Sequence, residues 1–159
     1  ILRYFNVAGV DKKLRCGFYT KKGSNLILNL CFALKKKNIF TVNGNDYETR
    51  DGTPIRDYIH VQDLAEIHLL AAKKILKKNF FKIFNCGYGH GYSVMEILKK
   101  FNFYSNSKIR YEIGKRRKND IVISIADPKK IIQFLKWTPK YKNLEHVVKS
   151  SLKWYSKSI

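Results

Sequence analysis

The chain has 159 residues, 45% of them hydrophobic, which is enough for a packed core and argues against disorder. A formal net charge of +20 first suggests nucleic acid, but lysine outnumbers arginine 25 to 7 and falls in scattered doublets such as Lys73-Lys74 and Lys129-Lys130. The expectation is therefore a solvated, lysine-biased surface and no nucleic-acid partner. No apolar run reaches the roughly 20 residues that cross a bilayer, so no membrane partner is expected, and three cysteines without C-x-x-C spacing point to a reducing, cytoplasmic setting without disulfides or zinc.

In chain order, Leu2 to Phe5 reads as a strand, and a chain that opens with Ile1 inside a strand is expected to be a piece of something longer. After a lysine-rich loop, Ser24 to Lys37 has the length and the basic end of a helix. Ile39 to Val42 is a short apolar strand, and Asn43 to Pro54 a polar loop with Gly44 and Gly52 at its turns. "DYIHV" is the next strand, after which Asp63 is placed to cap a helix reaching about Lys77. Along it Leu64, Ile67, Ala71 and Ile75 recur at helical spacing, as do Ala65, Leu69, Ala72 and Leu76. Phe81 to Asn85 is a strand that runs into a glycine loop, and Ser93 with Glu96 forms a capping box for a helix to Phe101. Lys108 to Ile113 and Ile121 to Ala126 are further strands. Pro128 opens a short helix to Leu135, and a last amphipathic helix starts near Leu144. The order implies an α/β protein: the trailing part of a Rossmann-type domain plus a small mixed α/β domain.

Three patterns suggest chemistry that their context does not support. The loop "NCGYGHGYSVMEIL" follows a strand and opens a helix, but its glycines are Gly87, Gly89 and Gly91, whereas G-x-G-x-x-G needs one at Tyr92. It reads as a tight turn before a capped helix. Tyr-x-x-x-Lys occurs as Tyr104/Lys108 and Tyr111/Lys115, but the first lies in a loop and the second runs from a strand into a turn. Neither is expected to share the helix face that proton transfer needs. His60 lies among Asp57, Asp63 and His68, yet Asp57 and His60 are three apart on a strand and face opposite sides, so no metal site is expected. What remains is arginine. Arg56 and the Arg116-Arg117 pair sit in loops beside acids, and a guanidinium fork suits a diphosphate better than an ammonium does.

The stretches "LRYFNVAGVD", "NGNDYETRDGTPIRDYIHVQDLA", "FNCGYGHGYSVMEI", "RRKNDIVISIADPKK" and "LKWTPKYKNLEHVVKSSLKWY" occur in the order and spacing of one known family. By these the chain resembles the UDP-glucose 4-epimerases, a family of extended short-chain dehydrogenase/reductases, over nearly its whole length. The resemblance implies a C-terminal part, mainly the UDP-sugar-binding domain, with Rossmann remnants near 1–10 and 56–87. The NAD-binding half and the catalytic Tyr-x-x-x-Lys would lie upstream, so these residues alone are expected to be inactive. A UDP-hexose substrate, NAD held mainly by the other half, and a homodimeric parent are implied with it.

Residue by residue, the resemblance places Asn6, Asn25 and Leu26 against the UDP-sugar, with Val42 and Asn43 along the uridine. Arg56 and Arg117 would hold the diphosphate, Asp120 the ribose, and the backbone near Tyr4 would approach the nicotinamide. Ser124 falls where the family gates sugar size, and a small residue there implies room for an N-acetyl group. The chain departs from the family in having Lys115 in place of a proline and Asn119 in place of a glycine. Both exchanges bear on the turn that carries Asp120.

Overall fold

The computed structural model describes residues 1–18 and 25–157. Strands β1 (Leu2–Tyr4) and β2 (Asn6–Ala8) are followed by helix α1 (Leu26–Lys36), β3 (Phe40–Asn43), β4 (Ile55–His60) and α2 (Val61–Ile75). Next come β5 (Phe84–Cys86), β6 (Gly91–Ser93), α3 (Val94–Ser105), β7 (Tyr111–Gly114), β8 (Ile123–Ser124), α4 (Lys129–Leu135) and α5 (Leu144–Lys157). The α/β expectation holds. The first expected strand is two, β1 and β2, which pair in parallel with different partners: Leu2 faces Phe84 of β5, whereas Asn6 faces Tyr58 of β4.

Strand β4 organises the rest. It lies between β2 and antiparallel β6, and it also pairs with β8, Arg56 standing opposite both Tyr92 and Ser124. Successive residues of a strand face opposite sides, and here both sides are covered. Tyr58 joins a core with Leu28 and Leu30 of α1, Ile97 and Phe101 of α3, and Val147 and Val148 of α5. Ile59 joins a second core with Leu64 and Ile67 of α2, Phe84, Ile131 and Trp137. A strand covered on both faces is rich in buried residues rather than alternating.

Polar groups on such a strand need internal partners. The fully buried Asp57 carboxylate accepts from the backbone N–H groups of Tyr88 (3.0 Å), Gly89 (2.9 Å) and Ala126 (3.3 Å). It thereby fills the glycine loop with a carboxylate from the chain itself, and the loop leads into the short strand β6 rather than directly into a helix.

Asp63 corrects the expectation of a cap. His60 is the N-cap of α2, its Nδ1 accepting from Gln62 N at 3.2 Å. Asp63, fully buried in the first turn, instead accepts from the Tyr88 hydroxyl (2.6 Å) and from the backbone N–H of Lys140 (3.1 Å) and Tyr141 (2.9 Å). The capping box of Ser93 and Glu96 on α3 is present as expected. Helix α1 starts at Leu26 with Asn25 as its cap, and Ser24 lies outside the described residues. Pro128 occupies the cap position of α4. Of the two apolar stripes on α2, the first buries Leu64 and Ile67, while Leu69 and Leu76 of the second are 54% and 86% exposed. Tyr104 belongs to the last turn of α3 rather than to a loop, but Lys108 lies past Asn106, whose φ of 51° ends the helix. The two still share no helix face.

His60 itself is 1% exposed. It stacks on Tyr141 with ring centroids 4.5 Å apart, and its Nε2 lies 3.4 Å from Ser150 Oγ of α5. The chain passes so close that a Cβ at Gly9 would lie 2.5 Å from the ring, and Gly9 has a φ of +78°, which glycine adopts without strain.

Two outcomes follow from this packing. Replacing Asp57 with alanine leaves three backbone N–H groups without their acceptor, and urea unfolding should show a loss of about 3 kcal/mol or more. Burial pushes the His60 imidazole down to about 4, with Asp63 opposing and His146 adding to the shift. Between that value and the ordinary ~6.5 the unfolded chain binds the extra proton, so stability falls as pH drops through this window, by up to about 3 kcal/mol. Unfolding free energies measured from pH 7 to pH 4 should show this fall, and His60→Gln should flatten it.

Candidate functional site

Arg56 lies not in a loop, as expected, but at the second position of β4, because Ile55 and Arg56 pair with β6 and β8, and its guanidinium is held rather than free. Nη1 donates to the carbonyls of Ile55 (2.8 Å) and Val122 (3.4 Å), and Nη2 donates to Asp120 Oδ1 at 2.6 Å. Guanidinium has five N–H donors, and these three bonds leave two of them without a partner among the described residues. The Arg56 and Asp120 side chains are 16% and 22% exposed, so their ion pair is partly withdrawn from water and screened less than a surface pair.

The open side of this arginine lines a cleft of about 610 Å³ with Arg3, Tyr4, Phe5, Asn6, Asn85, Ile121 and Ser124. Four residues named from the sequence, Tyr4, Asn6, Arg56 and Ser124, therefore share one cleft. The pairing of β4 with both β2 and β8 produces this, since it brings Asn6 and Ser124 alongside the strand that carries Arg56. Arg3 adds a second guanidinium, its Nε donating to Asn85 Oδ1 at 3.0 Å. The Tyr4 ring is 53% exposed and its hydroxyl lies 3.5 Å from His68 Nε2. Because His68 Nδ1 lies 2.8 Å from the Leu64 carbonyl, which can only accept, Nε2 is the acceptor toward Tyr4.

Asp120 ends the turn that carries Arg117. Its N–H donates to the Arg117 carbonyl at 3.3 Å, and Asn119 between them has a φ of 58°. This is the left-handed region, which glycine prefers and asparagine tolerates, so the turn survives the exchange of the family's glycine for Asn119. Arg117 is exposed.

Other expected contacts lie elsewhere. Asn25 spends its side-chain oxygen on Leu28 N at 2.9 Å and lines a separate apolar cavity of about 570 Å³ with Val10, Ile27 and Tyr155. Leu26 is half-buried against the α1 core. Val42 is 1% exposed and belongs to that core, so it presents no surface to a ligand in this arrangement. Asn43 lines a small hollow with Asn29 and Thr41. Val42 and Asn43 pair with Ile113 and Gly114 of β7, which leads into the loop of Arg116 and Arg117.

Two neighbours of the clamp went unread in the sequence. Tyr47, 4% exposed, donates its hydroxyl to Asp120 Oδ2 at 3.2 Å, and Arg116 lies over its ring at 4.0 Å. Burial, and then the Asp120 charge, raise the Tyr47 phenol above its usual range. The only sign in the sequence was an aromatic residue in a polar loop between Gly44 and Gly52. Arg3 was hidden as one cation in an otherwise apolar opening strand.

Residues 1–87 match the NAD dependent epimerase/dehydratase family. The chain is 39% identical over 155 residues to a UDP-glucose 4-epimerase of Lactobacillus helveticus, an alignment covering 97% of this chain and 47% of that protein. The crystal structure of UDP-glucose-4-epimerase from Stenotrophomonas maltophila, with bound NAD and formylated UDP-arabinopyranose, aligns with a TM-score of 0.92 at 32% identity. That alignment covers 98% of this chain and 46% of the other. The UDP-Glc/GlcNAc 4-epimerase of Campylobacter jejuni is 39% identical, with a TM-score of 0.79 over 98% of this chain and 47% of its own. The chain thus spans about half the length of the relatives it matches, and it belongs to the NAD dependent epimerase/dehydratase family.

Proposed function

We propose that this chain is the nucleotide-sugar-holding part of an NAD-dependent 4-epimerase that interconverts UDP-glucose and UDP-galactose through a 4-keto intermediate. The observation that carries the reading is Arg56: a guanidinium aimed by Asp120 into a cleft that also contains Tyr4, Asn6 and Ser124. In that cleft the two unspent donors of Arg56 hold a phosphate oxygen, and the exposed Arg117 closes on the diphosphate from the neighbouring turn. Charge-assisted bonds of this kind are short and strong. They fix the diphosphate without fixing the hexose, which must present both faces of C4 in turn.

NAD supplies the hydride acceptor and donor at C4. The residues here offer it only an edge, at Tyr4. The glycine loop is no dinucleotide cradle, because the N–H groups of Tyr88 and Gly89 are already bonded to Asp57. Proton transfer falls to a tyrosine–lysine pair outside these residues, since neither Tyr104/Lys108 nor Tyr111/Lys115 shares a helix face. Asn6, at the end of the cleft toward β2, serves as a polar contact for the sugar. Asn25 and Asn43 support the site through the loops they anchor, and Leu26 and Val42 through the core.

Ser124 bears on which hexose fits. It stands opposite Arg56 in the β4–β8 pairing and lines the cleft with a small side chain. That leaves space for an N-acetyl group beside the diphosphate.

Two measurements test the reading. Arg56→Ala should weaken UDP binding by about 2 kcal/mol, roughly 30-fold, in a calorimetric titration, since it removes a charged donor from a partly desolvated site; equal affinities would refute the assignment. Ser124→Tyr in the intact enzyme should abolish turnover of UDP-N-acetylglucosamine while sparing UDP-glucose. Unchanged rates on both substrates would remove Ser124 from the gating role.

A further inference from the structure

We propose that Tyr47 is a positioning residue that ties the Arg116 guanidinium to the Asp120 carboxylate and so aims Arg56 into the cleft. The inference rests on the diphosphate reading above and adds to it the part that holds the clamp in place. Asp120 divides its two oxygens: Oδ1 takes the Arg56 Nη2 donor at 2.6 Å, and Oδ2 takes the Tyr47 hydroxyl at 3.2 Å. A carboxylate bonded through one oxygen only can swing about its Cβ–Cγ bond and carry its arginine with it. Bonded through both, it has a set plane.

The other face of Tyr47 fixes the loop. Arg116 lies 4.0 Å from the ring centroid, a cation–π contact between an exposed guanidinium and the buried Tyr47 ring. The stack sits in a socket closed by Gly44, whose φ is +85°. A Cβ there would lie 3.0 Å from both Arg116 Cβ and the Tyr47 ring, so only glycine lets the two approach here. One aromatic side chain thus grips the 115–120 loop at both ends, Arg116 by its ring and Asp120 by its hydroxyl. Arg117 lies between these two grips, and its carbonyl closes the turn to Asp120 N. The loop has Lys115 where the related family has a proline, so its entry is not stiffened by a ring and Tyr47 takes a larger share of the ordering.

This role distinguishes the diphosphate from the nucleoside. Loosening Tyr47 should misplace two guanidiniums that uridine does not touch, and cost uridine no more than its ribose contact with Asp120. The test is titration of UDP and, separately, uridine into the parent chain, Tyr47→Phe and Arg116→Gln, with melting temperatures measured beside them. Tyr47→Phe keeps the ring and the stack, so it should melt close to the parent, lose about tenfold in UDP affinity and no more than about threefold in uridine affinity. Equal UDP affinity, or equal losses for UDP and uridine, would overturn the inference. Should Tyr47→Phe fail to fold, Arg116→Gln at the exposed end of the same relay is expected to give the same split, and a uniform loss there overturns the inference equally. A parent that binds UDP and loses it on Arg56→Ala, yet is indifferent to Tyr47→Phe, sinks this inference alone. A parent that does not bind UDP sinks the functional reading and this inference with it.

Discussion

Strand β4 is covered on both faces, and most of the polar chemistry of the chain answers to that constraint. Its apolar residues divide between two cores, Tyr58 to one and Ile59 to the other. Its polar residues are largely or wholly withdrawn from water, so each acquires a built partner. Asp57 takes three backbone N–H groups, His60 caps α2 and stacks on Tyr141, and Arg56 takes two carbonyls and one carboxylate. A buried polar group left unbonded would cost more than any of these bonds contributes. The same rule that keeps the strand folded therefore delivers an oriented arginine to the edge of a cleft.

The orientation matters because of what kind of cation it is. A lysine at position 56 would bring a mobile, strongly hydrated point charge, and its three donors could not bridge Ile55, Val122 and Asp120 while still facing a ligand. Guanidinium is planar and keeps its fork when some of its donors are spent. That explains why a chain with 25 lysines places an arginine here. The abundant lysines lie mostly on the exposed surface, where hydration of the ammonium costs nothing.

Most elements were legible because they are written locally. The capping box at Ser93 and Glu96, the lysines that close α1, and the apolar face of α5 each depend on residues a few positions apart. What was not legible depends on distant partners. Asp63 looked like a cap because it stands before a helical pattern, but its actual partners, Tyr88, Lys140 and Tyr141, are 25 to 78 residues away. Tyr47 was silent for the same reason, since its meaning comes from Arg116 and Asp120. The short strand β6 exists only as a pairing to β4 and carries little pattern of its own. For the site, the resemblance named Arg56, Asp120, Asn6, Tyr4 and Ser124, and the first two meet in an ion pair while Arg56 and the last three line one cleft.

The clamp is also a long-range closure, and this has a kinetic side. Arg56 and Asp120 are 64 residues apart, and Tyr47 and Asp120 are 73 apart. Closing chain segments of that length costs entropy that is recovered only after β3 has found β7 and β4 has found β8, all of them parallel pairings between distant strands. Ordering of the loop is accordingly a late event, and the last contacts made are the ones a diphosphate would reinforce. A ligand that binds only the closed arrangement then stabilises the chain in proportion to its own concentration. In this architecture ligand level and folding equilibrium would act on the same few bonds.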